Sequence, residues 1–380
     1  MASNWFGKIA RNVSHVGNSL LNKNYQEALR RIKEAGNSAA TELSLDDLGL
    51  TQLPAEVCRL THLESLNLSR NQLSALPPEF SQLQKLRRLN LRGNQFREFP
   101  PQICHLKKMR SLNLNENQLT ALPAKIGQLK ELWWLEVSHN QLRLLPATIG
   151  ELTNLTGLYA VGNQIQQLPS EIGRMTNLRS LVLRKNQLTE LPSEIVNLTQ
   201  LTILALEKNR FRDFPPQIVQ LSQLEVLNLR SNPISELPPE MGRLRQLERL
   251  SLSFNKLQAL PSQIGQLSRL QHLSLSANEL QFLPPSIGAL TRLKTLYLDW
   301  NELTCLPQEI AHLTELKTFD LTNNDTLDVA EEVLYRTPAE MIQEILATQP
   351  AAPLREATPL EIRHVSREAE GLVPALSPAM

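Results

Sequence analysis

An asparagine recurs every 23 residues through most of the chain. The twelve copies are Asn71, Asn94, Asn117, Asn140, Asn163, Asn186, Asn209, Asn232, Asn255, Asn278, Asn301 and Asn324. A constant period without insertion or deletion means that each repeat is one structural unit, which buries its apolar face only by stacking on its neighbours. We therefore predict a repeat solenoid whose function lies on a surface rather than in a pocket of catalytic groups.

One repeat, residues 132–154, reads L-x-x-L-x-L-x-x-N-x-L-x-x-L-P-x-x-I-G-x-L-x-x, with Val137 in one leucine position. The alternation in L-x-x-L-x-L predicts a short strand with one face in the core, and successive strands should stack in parallel. A buried asparagine can bond the backbone groups that the following turn leaves unpaired. A proline column from Pro54 to Pro307 fixes φ, which predicts an extended or weakly helical return limb.

This pattern resembles the leucine-rich repeat superfamily, in particular the 23-residue L-P-x-x-I-G-x-L class of Ras-group intracellular repeat proteins, Erbin-like scaffolds, and bacterial Roco and effector proteins. The match covers residues 40–324. The resemblance implies an α/β repeat solenoid, a curved horseshoe of about 13 repeats with a parallel sheet on its concave side. It also implies a role in binding other proteins, without naming the partner.

The amino-acid composition indicates the kind of core and argues against nucleic acid and membranes as partners. The chain has 380 residues, of which 41% are apolar and only 4% aromatic, so the core must consist of leucine and isoleucine. With 39 basic and 38 acidic residues, no global field favours nucleic acid or a membrane surface. We expect no nucleic-acid binding, no membrane insertion and a monomer.

The three cysteines indicate a reducing compartment. Cys58 and Cys104 share one column two repeats apart, too far to bridge, and Cys305 lies far along the solenoid. No apolar stretch is long enough for a signal peptide or a membrane helix. The expected location is the cytoplasm, or a host cytosol if the protein is an exported effector.

Both ends of a stacked sheet need caps. At the N-terminal end, residues 1–39, Tyr25, Leu29 and Ile32 form one helical face before a stop at residues 36–38. Repeats then run over 40–324, the first with Leu48 in the asparagine position. Residues 325–348 suggest a C-terminal cap of two short helices around Pro338, and residues 349–380 a disordered tail.

Residues 1–24 leave several alternatives open. Trp5, Phe6, Ile9, Val13 and nearby apolar residues recur near helical spacing. The segment could be an extra cap helix, a helix for a membrane surface or a partner, or a secretion signal of the kind that bacterial effectors carry.

The variable strand positions project from the concave face, and most are small or polar. The exceptions fall in consecutive central repeats and predict one apolar patch with charged residues at its rim. The candidate partner-binding residues are Trp134, Glu136, Tyr159, Val161, Val182, Arg184, Ile203, Glu207, Val226 and Arg230, together with Ala205, Lys185 and Lys208. Alternatively, these strand-forming side chains only stabilise exposed strands by packing across them.

A smaller group lies nearer the C-terminal end: Phe254, His272, Tyr297, Asp299 and Trp300. Phe254 and Trp300 come directly before a ladder asparagine, where a side chain can fold over the rim, so we expect both to pack locally.

The chain shows no constellation that indicates an enzyme. Its seven histidines lack metal-ligand spacing, and neither a glycine-rich phosphate loop nor a nucleophile elbow is present. We predict no catalysis, no metal and no cofactor. The remaining classes are a cytosolic scaffold or signalling adaptor and a secreted bacterial effector that captures a host protein. A further alternative is a structural protein that self-associates through its end strands.

Overall fold

The computed structural model of the chain describes residues 23–349. Within that range, thirteen three-residue strands pair in sequence order in one open parallel sheet, with β1 and β13 at its two edges. The strands are β1 Glu42–Ser44, β2 Ser65–Asn67, β3 Arg88–Asn90, β4 Ser111–Asn113, β5 Trp134–Glu136, β6 Gly157–Tyr159, β7 Ser180–Val182, β8 Ile203–Ala205, β9 Val226–Asn228, β10 Arg249–Ser251, β11 His272–Ser274, β12 Thr295–Tyr297 and β13 Thr318–Asp320. The result is the predicted curved solenoid, with the sheet on its concave side.

A five-residue 3-10 helix follows each strand on the return limb, as the proline column predicted. These helices are Ala55–Arg59, Pro78–Gln82, Pro101–His105, Ala124–Gln128, Ala147–Glu151, Ser170–Arg174, Ser193–Asn197, Pro216–Gln220, Pro239–Arg243, Ser262–Gln266, Pro285–Ala289, Gln308–His312 and Glu331–Tyr335. In the first twelve, a proline directly precedes the helix and fixes its entry in an extended conformation, as at Pro146 with φ −67° and ψ 149°.

The core is a continuous stack, mainly of leucine and isoleucine, between the sheet and the 3-10 helices. In the repeat 132–154, Leu135, Leu142, Ile149 and Leu152 are fully buried. Each such side chain contributes roughly 1.5–3 kcal/mol relative to an exposed one, so the stack is the main source of stability. Most repeats follow this pattern, but Phe80, Phe96 and Phe211 are fully buried in leucine or isoleucine positions. The core is therefore predominantly aliphatic, as predicted, with a few aromatic side chains in it.

The asparagine ladder joins neighbouring repeats. Asn94 donates from Nδ2 to the carbonyl of Leu91 in its own repeat and to that of Leu68 in the repeat before, both at 3.0 Å. Its Oδ1 accepts from the backbone N–H of Leu73 at 2.9 Å. The expected bonds to unpaired backbone are confirmed, and they also link each turn to the preceding one.

The residue before each ladder position is in the left-handed region. Its φ lies between 52° and 66° in all thirteen described repeats, from Asp47 to Asn323, although only Gly93 and Gly162 are glycines there. A left-handed L-residue costs about 1–2 kcal/mol, which the stacked core and the ladder bonds offset. The turn therefore fixes the direction of this side chain, whatever its type.

Glycines on the convex side let successive 3-10 helices approach closely. A Cβ added at Gly150 would lie 2.1 Å from the carbonyl oxygen of Glu171 in the next repeat. Val196 and Val219 occupy the same column, and there the 3-10 helices pack less closely than they do at the glycine repeats.

The N-terminal cap is a helix, α1, over residues 23–38. Its buried face consists of Ala28, Ile32 and Ala35, with Tyr25 packed beside it. The prediction that Leu29 belongs to this face was wrong: Leu29 is only partly buried, because the small alanines allow the helix backbone to lie close to the first repeat.

The end of α1 also differs from the prediction. Residues 36–38 continue the helix instead of stopping it, and Ser38 Oγ donates to the carbonyl of Glu34 at 2.9 Å. The chain leaves the helix at Ala39, which has a φ of 50°, and Ala40 N–H bonds to the Ala35 carbonyl at 3.0 Å. A left-handed alanine thus serves as the cap that a glycine commonly provides.

The C-terminal cap places the 3-10 helix Glu331–Tyr335 and the α-helix α2, Pro338–Thr348, around Pro338. Thr337 and Glu340 form a capping box at the start of α2, which buries Met341, Ile342 and Ile345. The predicted pair of short helices is present, although the first is a 3-10 turn. Of the segment 1–24, residues 1–22 lie outside the described residues, whereas residues 23 and 24 begin α1. The tail beyond residue 349 also lies outside them.

Candidate functional site

The concave face carries side chains in register from strand to strand. The first strand position reads Trp134, Gly157, Ser180, Ile203 and Val226 from β5 to β9, and the third reads Glu136, Tyr159, Val182, Ala205 and Asn228. A further column, two residues after each strand, continues the same face. Its central members are Val161, Arg184, Glu207 and Arg230.

We call Trp134, Tyr159, Val161, Val182, Ile203, Ala205 and Val226 the central patch. All seven are partly buried, and they lie on five adjacent strands and the residues that follow them. Buried Gly157 and Ser180 separate Trp134 from Ile203 in the first column. The patch therefore has an aromatic end around Trp134 and an aliphatic end of Val182, Ile203, Ala205 and Val226.

At the aromatic end, the Trp134 ring packs against Tyr159, with centroids 4.7 Å apart and planes inclined by 33°. A Cβ at Gly157 would lie 2.8 Å from the Trp134 ring, so this glycine makes room for the indole over β6. The indole N–H donates to Glu136 Oε1 at 2.7 Å. Trp134 is held in one orientation by its own chain, as suits an interface anchor.

Glu136 is also held by two residues that the sequence did not single out. Asn113 Nδ2 and Asn115 Nδ2 donate to Glu136 Oε2 at 2.7 and 2.5 Å. Asn115 Oδ1 in turn accepts from the Ser138 backbone N–H at 2.6 Å. This amide network fixes the acid that orients Trp134, and a sequence gives no signal for it because the partners lie a repeat apart.

Charged residues border the aliphatic end. Arg184 Nε lies 3.5 Å from Glu207 Oε1, and the side chain of Glu207 is only 12% exposed. Glu207 Oε2 is buried and has no hydrogen-bond partner among the described residues. Burial raises the pKa of the Glu207 carboxyl, although the nearby cations oppose that shift. Arg230 lies over the Phe254 ring, 4.5 Å from its centroid.

The expected local packing in the second group is present at Phe254, whose ring contacts Arg230, but Trp300 has no aromatic or cationic partner in the described structure. Both side chains are largely exposed, at 51% and 63%. The reason is the left-handed turn, with φ of 58° and 56° at these two positions, whose column carries exposed side chains in most repeats. Arg230 is the one aromatic or cationic partner that packs on Phe254 in the described structure.

The rest of this group is tied into the sheet. His272 Nδ1 lies 2.9 Å from Thr295 Oγ1, and Asp299 accepts a hydrogen bond from Ser276 Oγ at 2.6 Å. Tyr297 is 37% exposed. Trp133 was not among the predicted site residues, yet it is 46% exposed and its ring lies 6.0 Å from that of Trp134.

The two buried cysteines, Cys58 and Cys104, are not expected to form reactive thiolates. All three thiols are free, and Cys58 and Cys104 are buried. Burial raises the pKa of Cys58 to about 11 and that of Cys104 above its usual range. Within residues 23–349 no group of three or more His, Cys, Asp or Glu residues is placed to hold a metal ion, and no helix there is long and apolar enough to span a bilayer.

Family profiles match most of the chain. A profile described as a leucine-rich repeat region matches residues 98–176 and 250–336, and two leucine-rich repeat profiles match 38–96, 199–257 and 177–198. No curated protein matches the sequence.

Solved structures share the fold. A leucine-rich repeat protein of Leptospira interrogans is 36% identical, over 79% of this chain and 80% of that chain, with a TM-score of 0.67. An internalin of Listeria monocytogenes is 26% identical, over 74% and 87%, with a TM-score of 0.63. The ectodomain of an Arabidopsis thaliana membrane receptor kinase, in complex with Casparian strip integrity factor 2, is 28% identical over 74% and 37%, with a TM-score of 0.58.

Proposed function

The chain belongs to the leucine-rich repeat proteins, and we propose that it is a non-catalytic recognition module that binds a folded protein partner on its concave face. The contact would centre on the central patch. This family and fold typically serve as protein-binding modules, and the Arabidopsis receptor ectodomain was solved in complex with Casparian strip integrity factor 2.

The observation that carries the proposal is the arrangement of the central patch itself. Its seven residues lie on adjacent strands of a sheet whose other concave positions are mostly serine, asparagine and threonine. An aromatic anchor held in one orientation, an aliphatic surface beside it and arginines at the edge are features of protein interfaces. Packing across strands explains the Trp134–Tyr159 pair, but it leaves the partly exposed aliphatic end without a role.

The test is affinity capture from a cell extract with Val182→Ser/Ile203→Ser/Val226→Ser. Serine already occupies the same two columns at Ser65, Ser111, Ser251 and Ser274, so the sheet tolerates it there. The aromatic pair stays intact because its removal would also disturb the strand. A partner that wild type captures and the variant loses, at an unchanged Tm, supports the proposal.

A matched control is Ser65→Ala/Ser111→Ala/Ser274→Ala, which changes the same columns outside the central patch. Capture should survive this change. If capture survives in both variants, the central patch is strand packing and the proposed site is wrong.

The biological setting is part of the proposal: a monomeric scaffold or signalling adaptor in the cytoplasm, or alternatively a secreted bacterial effector that captures a host protein. The similarity to a Leptospira protein supports a bacterial setting for the alternative. Deletion of residues 1–22 distinguishes the adaptor from the effector. If the protein is an effector, the deletion variant should no longer be exported, while its Tm stays unchanged. Light scattering at several concentrations tests the monomer.

A further inference from the structure

Cations on the N-terminal part of the concave face are paired within the sheet. Arg70 pairs with Asp46 at 3.0 Å, Arg88 with Glu42 at 2.5 Å and Arg92 with Glu116 at 2.6 Å. Each pair joins different repeats, so the stacking itself brings the opposite charges together. These arginines have their charge compensated inside the molecule.

Of the four cations beside the aliphatic end of the central patch, three lack such a partner. We call Arg184, Lys185, Lys208 and Arg230 the basic rim. Among the described residues, no carboxylate lies within 4.0 Å of Lys185, Lys208 or Arg230. Glu207 is within that distance of Arg184 only, although Arg230 and Lys208 are near enough to favour its charged form. The basic rim and Glu207 together carry four cations and one carboxylate, a net charge of +3 at this edge of the central patch.

Resting on the function proposed above, we propose that the partner presents an acidic segment to this surface. Its apolar side chains would cover Val182, Ile203 and Val226, while its carboxylates would pair with the basic rim. Like charges held close together repel one another, and a partner of opposite charge removes that repulsion when it binds. The aliphatic surface favours apolar side chains in the segment, and the excess of cations over carboxylates beside it favours acidic ones.

Other polyanions fit this surface less well. The basic rim spans three strands, about 10 Å at the usual spacing, which is short for a track along a nucleic-acid backbone. The surface beside it is aliphatic, whereas single strands stack their bases on aromatic side chains. A bilayer is flat and cannot enter the inner side of an arc. A short protein segment fits the length of the basic rim, the aliphatic surface beside it and the concave shape of the face.

The direct test uses the full chain and two fluorescent pools of short peptides. In the first pool, Asp or Glu alternates with Leu, Ile, Val or Phe, and in the second, Lys or Arg replaces the acids. Fluorescence anisotropy should show binding of the acidic pool, weakening as salt rises. Equal binding of both pools, preference for the basic pool or binding of neither overturns the inference. So does tighter binding of single-stranded RNA or of phosphatidylserine vesicles.

Charge variants locate the interaction. Lys208→Gln/Arg230→Gln should weaken binding of the acidic pool by about tenfold, because two exposed ion pairs are lost. The control, Arg88→Gln/Arg92→Gln, removes two arginines that are paired within the sheet, and binding should change less than about twofold. The reverse ranking contradicts the inference.

Glu207→Gln should increase the affinity for the acidic pool, an effect that misfolding of the variant would not produce. It removes the carboxylate of the surface and should tighten binding of the acidic pool. Weaker binding by this variant, with a Tm no lower than that of wild type, contradicts the inference. If the serine variant loses a captured partner but Lys208→Gln/Arg230→Gln keeps it, the proposed function stands and the acidic partner does not.

Discussion

The side-chain oxygen of Asn186 accepts a hydrogen bond from the backbone N–H of Ile165 at 3.0 Å, although Ile165 lies in the preceding repeat. The amide nitrogen of Asn186 donates to the carbonyls of Ala160 and Leu183 at 2.8 and 2.9 Å. One buried side chain therefore satisfies backbone groups of two repeats at once. In a solenoid, where each unit contacts only its neighbours, such bonds contribute directly to the coupling between units.

Asn186→Ala should destabilise the solenoid by roughly 2–4 kcal/mol, because a buried N–H and two buried carbonyls lose their partner. Urea denaturation followed by circular dichroism measures the loss. Gln187→Ala, at the next position outside the ladder, is the control. A cost for Asn186→Ala within about 0.5 kcal/mol of the control would show that the ladder is dispensable.

Gly150→Ala should cost about 1–3 kcal/mol although it adds a single methyl group, because that methyl would meet the Glu171 carbonyl of the next repeat. Val196→Ala gives the same residue in the same column, where the turns pack less closely, and should cost less. Thermal unfolding of both variants checks the order. Equal costs would mean that the convex turns move apart freely.

Trp300→Gly should be more stable than Trp300→Ala by about 1 kcal/mol, because glycine adopts a positive φ without the penalty that alanine keeps. The exposed indole contributes little packing in either case. The urea unfolding midpoints of the two variants show whether backbone conformation or packing of the indole ring determines stability at this position. If Trp300→Gly and Trp300→Ala lose the same large amount relative to wild type, the indole packs on the rim after all.

Glu207→Gln should alter the pH dependence of stability. Since burial raises the pKa of Glu207 in the folded state, its protonated form stabilises the fold at low pH, and that contribution is lost as the pH rises through the raised pKa. The Tm of Glu207→Gln relative to wild type should therefore increase with pH, starting near the ordinary glutamate pKa of about 4.3. Exposed Glu190→Gln controls for the lost charge. A constant difference across the pH range contradicts the assignment.

The architecture follows from the sequence because one period determines it. Twelve asparagines at constant spacing require that strands, turns and return limbs lie in register, and the leucine positions then fill the core. The residue before each asparagine carried no such signal. Arginine, lysine, phenylalanine and tryptophan all occur there, because the ladder turn imposes the left-handed conformation on any side chain.

The sequence predicts which residues share the candidate surface, but not how their side chains are arranged. Register alone places Val182, Ile203 and Val226 on one face, whereas the pairing of Arg88 with Glu42 depends on side-chain reach across two repeats. The role of Gly157 under the Trp134 ring likewise depends on a rotamer, which a repeat pattern does not specify. The face of α1 was misjudged because alanine is a weaker sequence signal of burial than leucine.

The most direct measurement of the central claim is site-specific photo-crosslinking of the full chain to its captured partner. A photoreactive residue would replace Ala205, in the middle of the aliphatic end, or Asn67, in the same column of β2. The account predicts a covalent adduct from position 205 and none from position 67, with wild-type Tm values in both. Crosslinking from position 67 alone would contradict it and place the interface outside the central patch.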